Sequence, residues 1–478
     1  MAVKLSFKSA ALAVVIISGP ALATSAAAAA ATHSLAQVAA HRADAGHGLV
    51  AQTAGGTQLW RRAYGKKYGG GAVAVAVSPD SSTVFVTGTV DGPSHERIAT
   101  VAYRAATGAQ LWAAWYNGPL KTNSIATSIV VSPDGQRVFV TGHTRSKNGI
   151  VGVTLAYDAA TGASLWTAVN PNPTSFPTSA AVSPDSSTVY SSGRDNVGMF
   201  TIAYKAATGA SVWLQHYTGA QSGGGASAVA VSPDGSTVYV TGGVMVSSSD
   251  EEYATVAYQA ATGTMRWAQV QNGTSGSFGD DSEATALAVS PDGSAVFVTG
   301  LLTAPAGASY GTVAYGAAAG TKLWFQQYET PSATVLNDFA AALAVSPDGT
   351  QVFVTGAAND AYGTLAYTAA TGAQQWIELY HPGCCNSASS VAMSPDGSTV
   401  YVTGTAAYPH KSSKVATLAY NAATGATSWL QHYPGDQSGL GEGRAVAVSP
   451  DGSAVFVTGL AQDPLNQPSF YTTTAYSP

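Results

Sequence analysis

The triplet Ser-Pro-Asp recurs eight times along the chain, at Ser78, Ser132, Ser183, Ser232, Ser290, Ser346, Ser394 and Ser449. Ser78 and Ser449 are 371 residues apart, a mean interval of 53. Self-similarity at such a period marks units that cannot bury a hydrophobic face alone and must stack on one another. Each triplet precedes a strand-like run such as TVFVTG (Thr83 to Gly88) or TVYVTG (Thr237 to Gly242). A second run follows, ending at Tyr103, Tyr157, Tyr204, Tyr258, Tyr315, Tyr367, Tyr420 or Tyr476. An AATG-type turn then leads to a run bearing Trp60, Trp112, Trp166, Trp213, Trp267, Trp324, Trp376 or Trp429. With the alternating Ala/Val stretch before each triplet (Ala72 to Val77 in the first copy), every unit holds four short β-runs punctuated by Gly and Pro. Outside the first 23 residues, no window has a helical period.

Four-stranded units repeated radially form the blades of a propeller. The ends of the chain fit a closed ring. It opens with a lone Trp run (Gln52 to Tyr64) and closes with three runs that lack one, ending FYTTTAYSP. Joined, they complete an eighth blade and leave no open end, whereas a linear solenoid would want capping repeats. The sequence therefore predicts an all-β, eight-bladed β-propeller of four-stranded antiparallel blades over residues 49–478, closed by the N-terminal strand. Within each unit, Ser-Pro-Asp-Gly reads as a hairpin turn, with Pro fixing φ, Asp bonding locally and Gly closing. The eight Trp are expected between neighbouring blades. A residue present eight times by symmetry is architectural, so function is expected where the symmetry breaks.

Composition narrows the class further. Hydrophobic residues are 46% of the chain, which excludes disorder, and charged residues only 10%, against about 25% in an average domain. The formal charge of −6 excludes a nucleic-acid footprint. At the N-terminus, Lys4 and Lys8 precede a short apolar run (Ala10 to Ile17) and the small-residue triplet Ala21-Leu22-Ala23. That is the order of a secretory signal peptide, assigned to 1–23, followed by an Ala-rich lead-in over 24–48. The expected product is a secreted, extracellular monomer without a membrane span, and its Ala/Gly-rich composition suggests a bacterial source.

Two stretches resemble known families. AYDAATGASLW (Ala156 to Trp166) resembles the tryptophan-docking motif of quinoprotein dehydrogenases. VAVSPDGSTVYVTG (Val229 to Gly242) is similar to the YVTN-type repeats of bacterial secreted propellers. Both resemblances imply a propeller over Gln52 to Tyr476. The first also implies pyrroloquinoline quinone with Ca²⁺ and dehydrogenase activity; the second, a lactonase or lyase. The docking Asp is present only as Asp158, its counterparts being Arg104, Lys205, Gln259, Gly316, Thr368 and Asn421.

In four-stranded blades lettered A to D from the axis outward, the A–B and C–D turns share one face and the D–A and B–C loops the other. Here the former are short and monotonous, while the latter vary and carry the unusual residues, the pattern expected of a binding face on a rigid scaffold. The D–A loops contribute Lys66, Lys67, Lys121, Asn123, Asp280, Asp281, Glu283, Asn337, Asp338, Cys384, Cys385, Asp436, Glu442 and Arg444. Of these, Cys384, Cys385, Asp280, Asp281, Glu283, Asp338 and Arg444 are the ligand-binding candidates. Cys384 and Cys385 are the only cysteines, and in an exported chain a disulfide between them would persist. Adjacent Cα atoms about 3.8 Å apart make such a bridge strained. It either stiffens its loop or, as the quinoprotein resemblance implies, offers a plate for a cofactor or sugar. The FGDDSE loop (Phe278 to Glu283) is a weak calcium candidate lacking the spacing of a dedicated site. His216 and His432 share one position in two copies of WLQHY and read as structural. With no nucleophile–base pair or phosphate loop, no catalytic residue is named. The leading expectation is a scaffold without a cofactor that binds a glycan, small molecule or protein through the loop face. A quinone/Ca²⁺ dehydrogenase and a lactonase or lyase are the alternatives.

Overall fold

The computed structural model describes residues 55–478 except 68, 148, 248–249, 274–281, 305–306, 332–335, 384, 409–411, 434–438 and 463–467. The proposed signal and lead-in therefore lie outside the described residues. Eight blades of four antiparallel strands follow in order, the sheet of blade 5 being joined by a two-residue parallel strand at Leu336–Asn337: blade 1 over 70–116, blade 2 over 124–169, blade 3 over 176–217 and blade 4 over 225–271. Blade 5 covers 283–328, blade 6 covers 339–380, blade 7 covers 387–433, and blade 8 combines 440–476 with Gln58–Tyr64. Each inner strand touches the inner strands on either side, and the last touches the first, so the ring is closed. Among the described residues no helix is long and apolar enough to cross a membrane.

The repeated residues hold this ring together. Each of the eight repeat Trp lies against the next blade; seven of them donate their indole N–H to an Ala carbonyl there, at 2.6–2.9 Å, from Trp60 to Ala105 through Trp376 to Ala422. The same indole sits between an aromatic ring of its own blade and a Tyr of the next, as Trp213 does between Tyr190 and Tyr258. The AATG glycine closes over the indole. Gly263 has φ of +72°, and a Cβ there would come within 2.7 Å of Trp213. In the VTG run, the Thr hydroxyl pairs with a buried Thr on strand C in six blades, as Thr241 does with Thr255 at 3.1 Å. In the Ser-Pro-Asp turn, the Ser hydroxyl donates to the Asp carboxylate at 2.5 Å and accepts the backbone N–H five residues on. The Asp also accepts the N–H two residues on, which holds its pKa below the usual carboxylate value.

Blade 8 repeats this geometry without a covalent turn. Elsewhere the residue after the strand-C Tyr accepts the AATG glycine N–H and donates to the residue just before strand D, as in Gly108 N–H to Arg104 and Arg104 N–H to Ala109. In blade 8, Gly56 N–H donates to Ser477 at 3.0 Å and Ser477 N–H to Thr57 at 2.8 Å. The two chain ends thus form the missing turn, and Gly56 lies on Trp429 as the other glycines lie on their indoles. Two arginines confined to this outer strand lock it in place. Arg62 donates to the carbonyls of Gly108 (2.7 Å) and Thr107 (2.9 Å) in blade 1, while Arg61 lies 4.1 Å over the Tyr433 ring of blade 7.

Candidate functional site

The two faces of the disc differ in kind. On the turn face the Ser and Asp of each Ser-Pro-Asp triplet serve the turns themselves, as Ser232 and Asp234 do, and two shallow grooves open there. One, of about 310 Å³, lies between blades 3 and 4 and is lined by Ser183, Tyr190, Asp234 and Ala260. The other, of about 270 Å³, lies between blades 7 and 8 beside Ser394, Tyr401 and Asp451. They occupy equivalent places in the repeat, so they belong to the architecture.

On the loop face each inner strand bulges once as it enters its blade. The bulged residues are Val73, Thr127, Thr178, Ser227, Thr285, Ala341, Ser389 and Arg444. A bulge re-aims a side chain relative to the ladder, and here it sends short hydroxyls across to the neighbouring blade: Thr178 donates to Ala226 O at 2.6 Å and Thr285 to Ala340 O at 2.9 Å. Seven of the eight bulged residues are small or short; the eighth is Arg444. Its guanidinium is partly exposed and pairs with Glu442, two residues back, at 2.8 Å. Glu283 has the same strand position in blade 5 as Glu442 in blade 8, and it accepts from Ser227 at 3.0 Å.

The remaining candidates serve the loops. Asp338 is fully buried, and its two carboxylate oxygens accept the N–H and the hydroxyl of Thr330 at 2.6 and 2.9 Å. Burial raises its pKa despite those bonds. Cys385 is exposed, with φ of +61°, and its N–H donates to Asp360 on the tight hairpin of blade 6. The neighbouring buried Asn386 ties that loop down through Asp360 O, Gly383 O and Ala407 N. Cys384, Asp280 and Asp281, and with them the bridge and the acidic loop, lie outside the described residues. Glu283, Asp338, Cys385 and Arg444 thus stand on consecutive blades, each engaged with its own neighbours. Among the described residues no group of three or more His, Cys, Asp or Glu could hold a metal ion.

Sequence reasoning passed over the richest polar cluster, between blades 2 and 3. The Phe176 ring has His143 edge-on at 5.0 Å and the exposed Arg194 guanidinium over it at 4.9 Å. Burial, with Arg194 nearby, lowers the His143 pKa to about 4. Next to Arg194, the buried Asp195 accepts from His216 at 2.8 Å and from Asn172 at 2.9 Å. Burial alone would raise the Asp195 pKa, but these bonds and the Val197 N–H bring it down to about 2. The second WLQHY histidine has the opposite surroundings. His432 Nε2 accepts from the Tyr380 hydroxyl at 2.6 Å, with Tyr408 at 3.1 Å, and burial beside Lys414 lowers its pKa to about 4. One motif therefore holds two different histidines. The residue after each T/S-G was the available signal: Thr89, His143, Arg194, Gly243, Leu301, Ala357, Thr405 and Leu460 place two bases side by side.

A closed ring of eight tryptophan-docked blades, with one repetitive face and one variable face, defines a repeat propeller as the structural class. The chain belongs to the family described as outer membrane protein assembly factor BamB, which it matches over residues 46–299, 198–363 and 283–459. No curated protein matches the sequence. Among solved structures, BamB from Moraxella catarrhalis is 14% identical with a TM-score of 0.51, the match covering 88% of this chain and 99% of that one. The Dos1 propeller is 11% identical with a TM-score of 0.58, covering 88% and 94%. Chaetomium thermophilum Sqt1, bound to the N-terminus of ribosomal protein L10, is 15% identical with a TM-score of 0.57, covering 87% and 98%. At these identities the likeness is one of fold.

The side chains present do not build a quinone site. Eight of the nine Trp pack between blades, and Trp115 stands on the outer strand of blade 1, 52% exposed at the perimeter. No indole lines the inner strands, where a planar cofactor on the axis would stack.

Proposed function

We propose that this protein is an exported binding scaffold that holds a ligand on its loop face without a resident cofactor. One observation carries the reading: the D–A and B–C loops differ in length and bring charged side chains, including Arg194, Asp195, Glu283 and Arg444, to one face, while the Ser-Pro-Asp and AATG-type turns of the other keep one geometry and vary only at single positions such as Arg104, Asp158 and Lys205. Such a division is what a rigid frame with a specific surface requires. Its family's description as an assembly factor favours a protein over a glycan or small molecule as the ligand.

The test is a binding screen of the exported chain against envelope proteins and glycans, followed by two sets of variants. Arg194→Ala, Glu283→Ala and Arg444→Ala should each weaken the selected interaction by about tenfold or more, the range of a lost charged contact. Asp292→Asn on the turn face should leave it unchanged. Equal losses from both faces, or loss only from the turn face, would overturn the assignment of the binding surface.

A further inference from the structure

The loop face is electrically divided. Entering and capping blades 1–3 are exposed Lys66, Lys67, Lys121, Arg145, Lys147 and Arg194. The acids nearby, Asp91, Glu96 and Asp195, are partly or fully buried. Blades 4–6 reverse the sign, with Glu283, Glu329 and Asp360 exposed and Asp250, Glu251 and Glu252 partly buried on the same side of the disc, and no Lys or Arg among the loop residues described there. From 218 to 386 the sequence has only two cations, Arg266 and Lys322, and both stand where an outer strand leaves its AATG-type turn. Three consecutive blades are therefore basic at this face and the next three acidic, although the repeat itself favours neither.

Such a face is complementary to itself. A two-fold axis in the plane of the face sets blade 2 of one molecule over blade 5 of the other, and the same operation sets blade 5 over blade 2. Both contacts then join opposite charges, the isologous arrangement of a C2 pair. A foreign partner would have to supply both signs at a matching separation; a second copy does so by symmetry. We propose that the loop face pairs with the loop face of a second copy of this chain, covering the surface until a ligand displaces it. The proposal rests on the loop face being the binding face, and it replaces the monomer expected from sequence.

Sedimentation velocity of the full exported chain tests it. Charge pairing across a solvated face is screened as the Debye length shrinks from about 30 Å at 0.01 M salt to about 3 Å at 1 M. The expected result is a dimer at the low end that dissociates at least tenfold more readily at the high end. Lys121→Glu with Arg145→Glu and Lys147→Glu reverses three of the six cations of the basic blades; Glu251→Lys with Glu283→Lys and Glu329→Lys reverses three of the six acids of the acidic blades. Each triple variant alone should be monomeric, and an equimolar mixture should form the heterodimer. A thermal midpoint matching the parent confirms the fold of each; if a triple variant fails this check, Lys121→Glu and Glu329→Lys alone replace it. A parent that stays monomeric at low salt, a dimer indifferent to salt, or variants that do not pair on mixing overturns self-pairing. The scaffold reading would then still stand or fall on the two-face binding experiment.

Discussion

At the scale of single residues, the repeat separates glycines that are required from glycines that are tolerated. Gly263 needs its positive φ and lies against the Trp213 indole, so Gly263→Ala meets both strain and overlap. A cost of about 1–3 kcal/mol is expected, read as a lower denaturation midpoint. At Gly316 an added Cβ has its nearest neighbour at 3.7 Å, so Gly316→Ala should stay within about 0.5 kcal/mol of the parent. The histidines make a second residue-scale prediction. His143 and His432, each lowered to about 4, are neutral in the folded chain but titrate at the ordinary value when unfolded. The unfolded state then binds more protons between about pH 4 and 6.5, so stability falls as pH drops through that window. The turn aspartates, held below the usual carboxylate range, weaken the fold only at lower pH, and Asp338, raised by burial, acts with the opposite sign. Comparing the parent with His143→Phe and His432→Phe between pH 7 and 4.5 isolates the histidines: their loss should flatten the decline in midpoint. The sequence hid this difference between His216 and His432, because identical WLQHY segments meet Asp195 in one blade and two tyrosines in another.

At the scale of elements, the repeat made the four strands of each blade and the Trp contacts legible before any coordinates. Closure was legible too, since a lone Trp run and a blade lacking one imply each other. Arg61 and Arg62 were not singled out, although they depart from the repeat, because their partners are backbone carbonyls and a ring on adjacent blades. The inner-strand bulges escaped as well: a bulge leaves no mark in an Ala/Val alternation, yet it aims the rim side chains. Joining Pro478 to Gly55 by a short Gly-rich linker and opening the chain between Ala106 and Thr107 should preserve the blades and hold the thermal midpoint near the parent value. Removing Gln58–Tyr64 should instead yield aggregated material, because blade 8 loses its outer strand and blades 1 and 7 lose the arginine contacts. A truncated chain with an unchanged midpoint would refute the closure.

At the scale of the molecule, the charge division was present in the sequence all along. It becomes visible only after each residue is assigned to a face, since by chain order the acids of the Ser-Pro-Asp turns interleave with those of the loops. The expectation of a quinone cofactor is addressed at this scale as well. Thermal-shift titration with pyrroloquinoline quinone and Ca²⁺ together should give no stabilisation beyond either alone, given that no indole lines the axis; a joint shift would reopen the dehydrogenase reading.

The meeting of Gly56 and Thr57 with Ser477 also sets an order of events in time. Contacts that span almost the whole chain are the costliest to form by diffusion, and this one cannot form until the final residues exist. A growing chain can therefore build blades 1 to 7 as it lengthens, but its first strand must wait unpaired for the last. During synthesis that strand is an open edge, and whatever accompanies the chain has to shield it until residues 470–477 arrive.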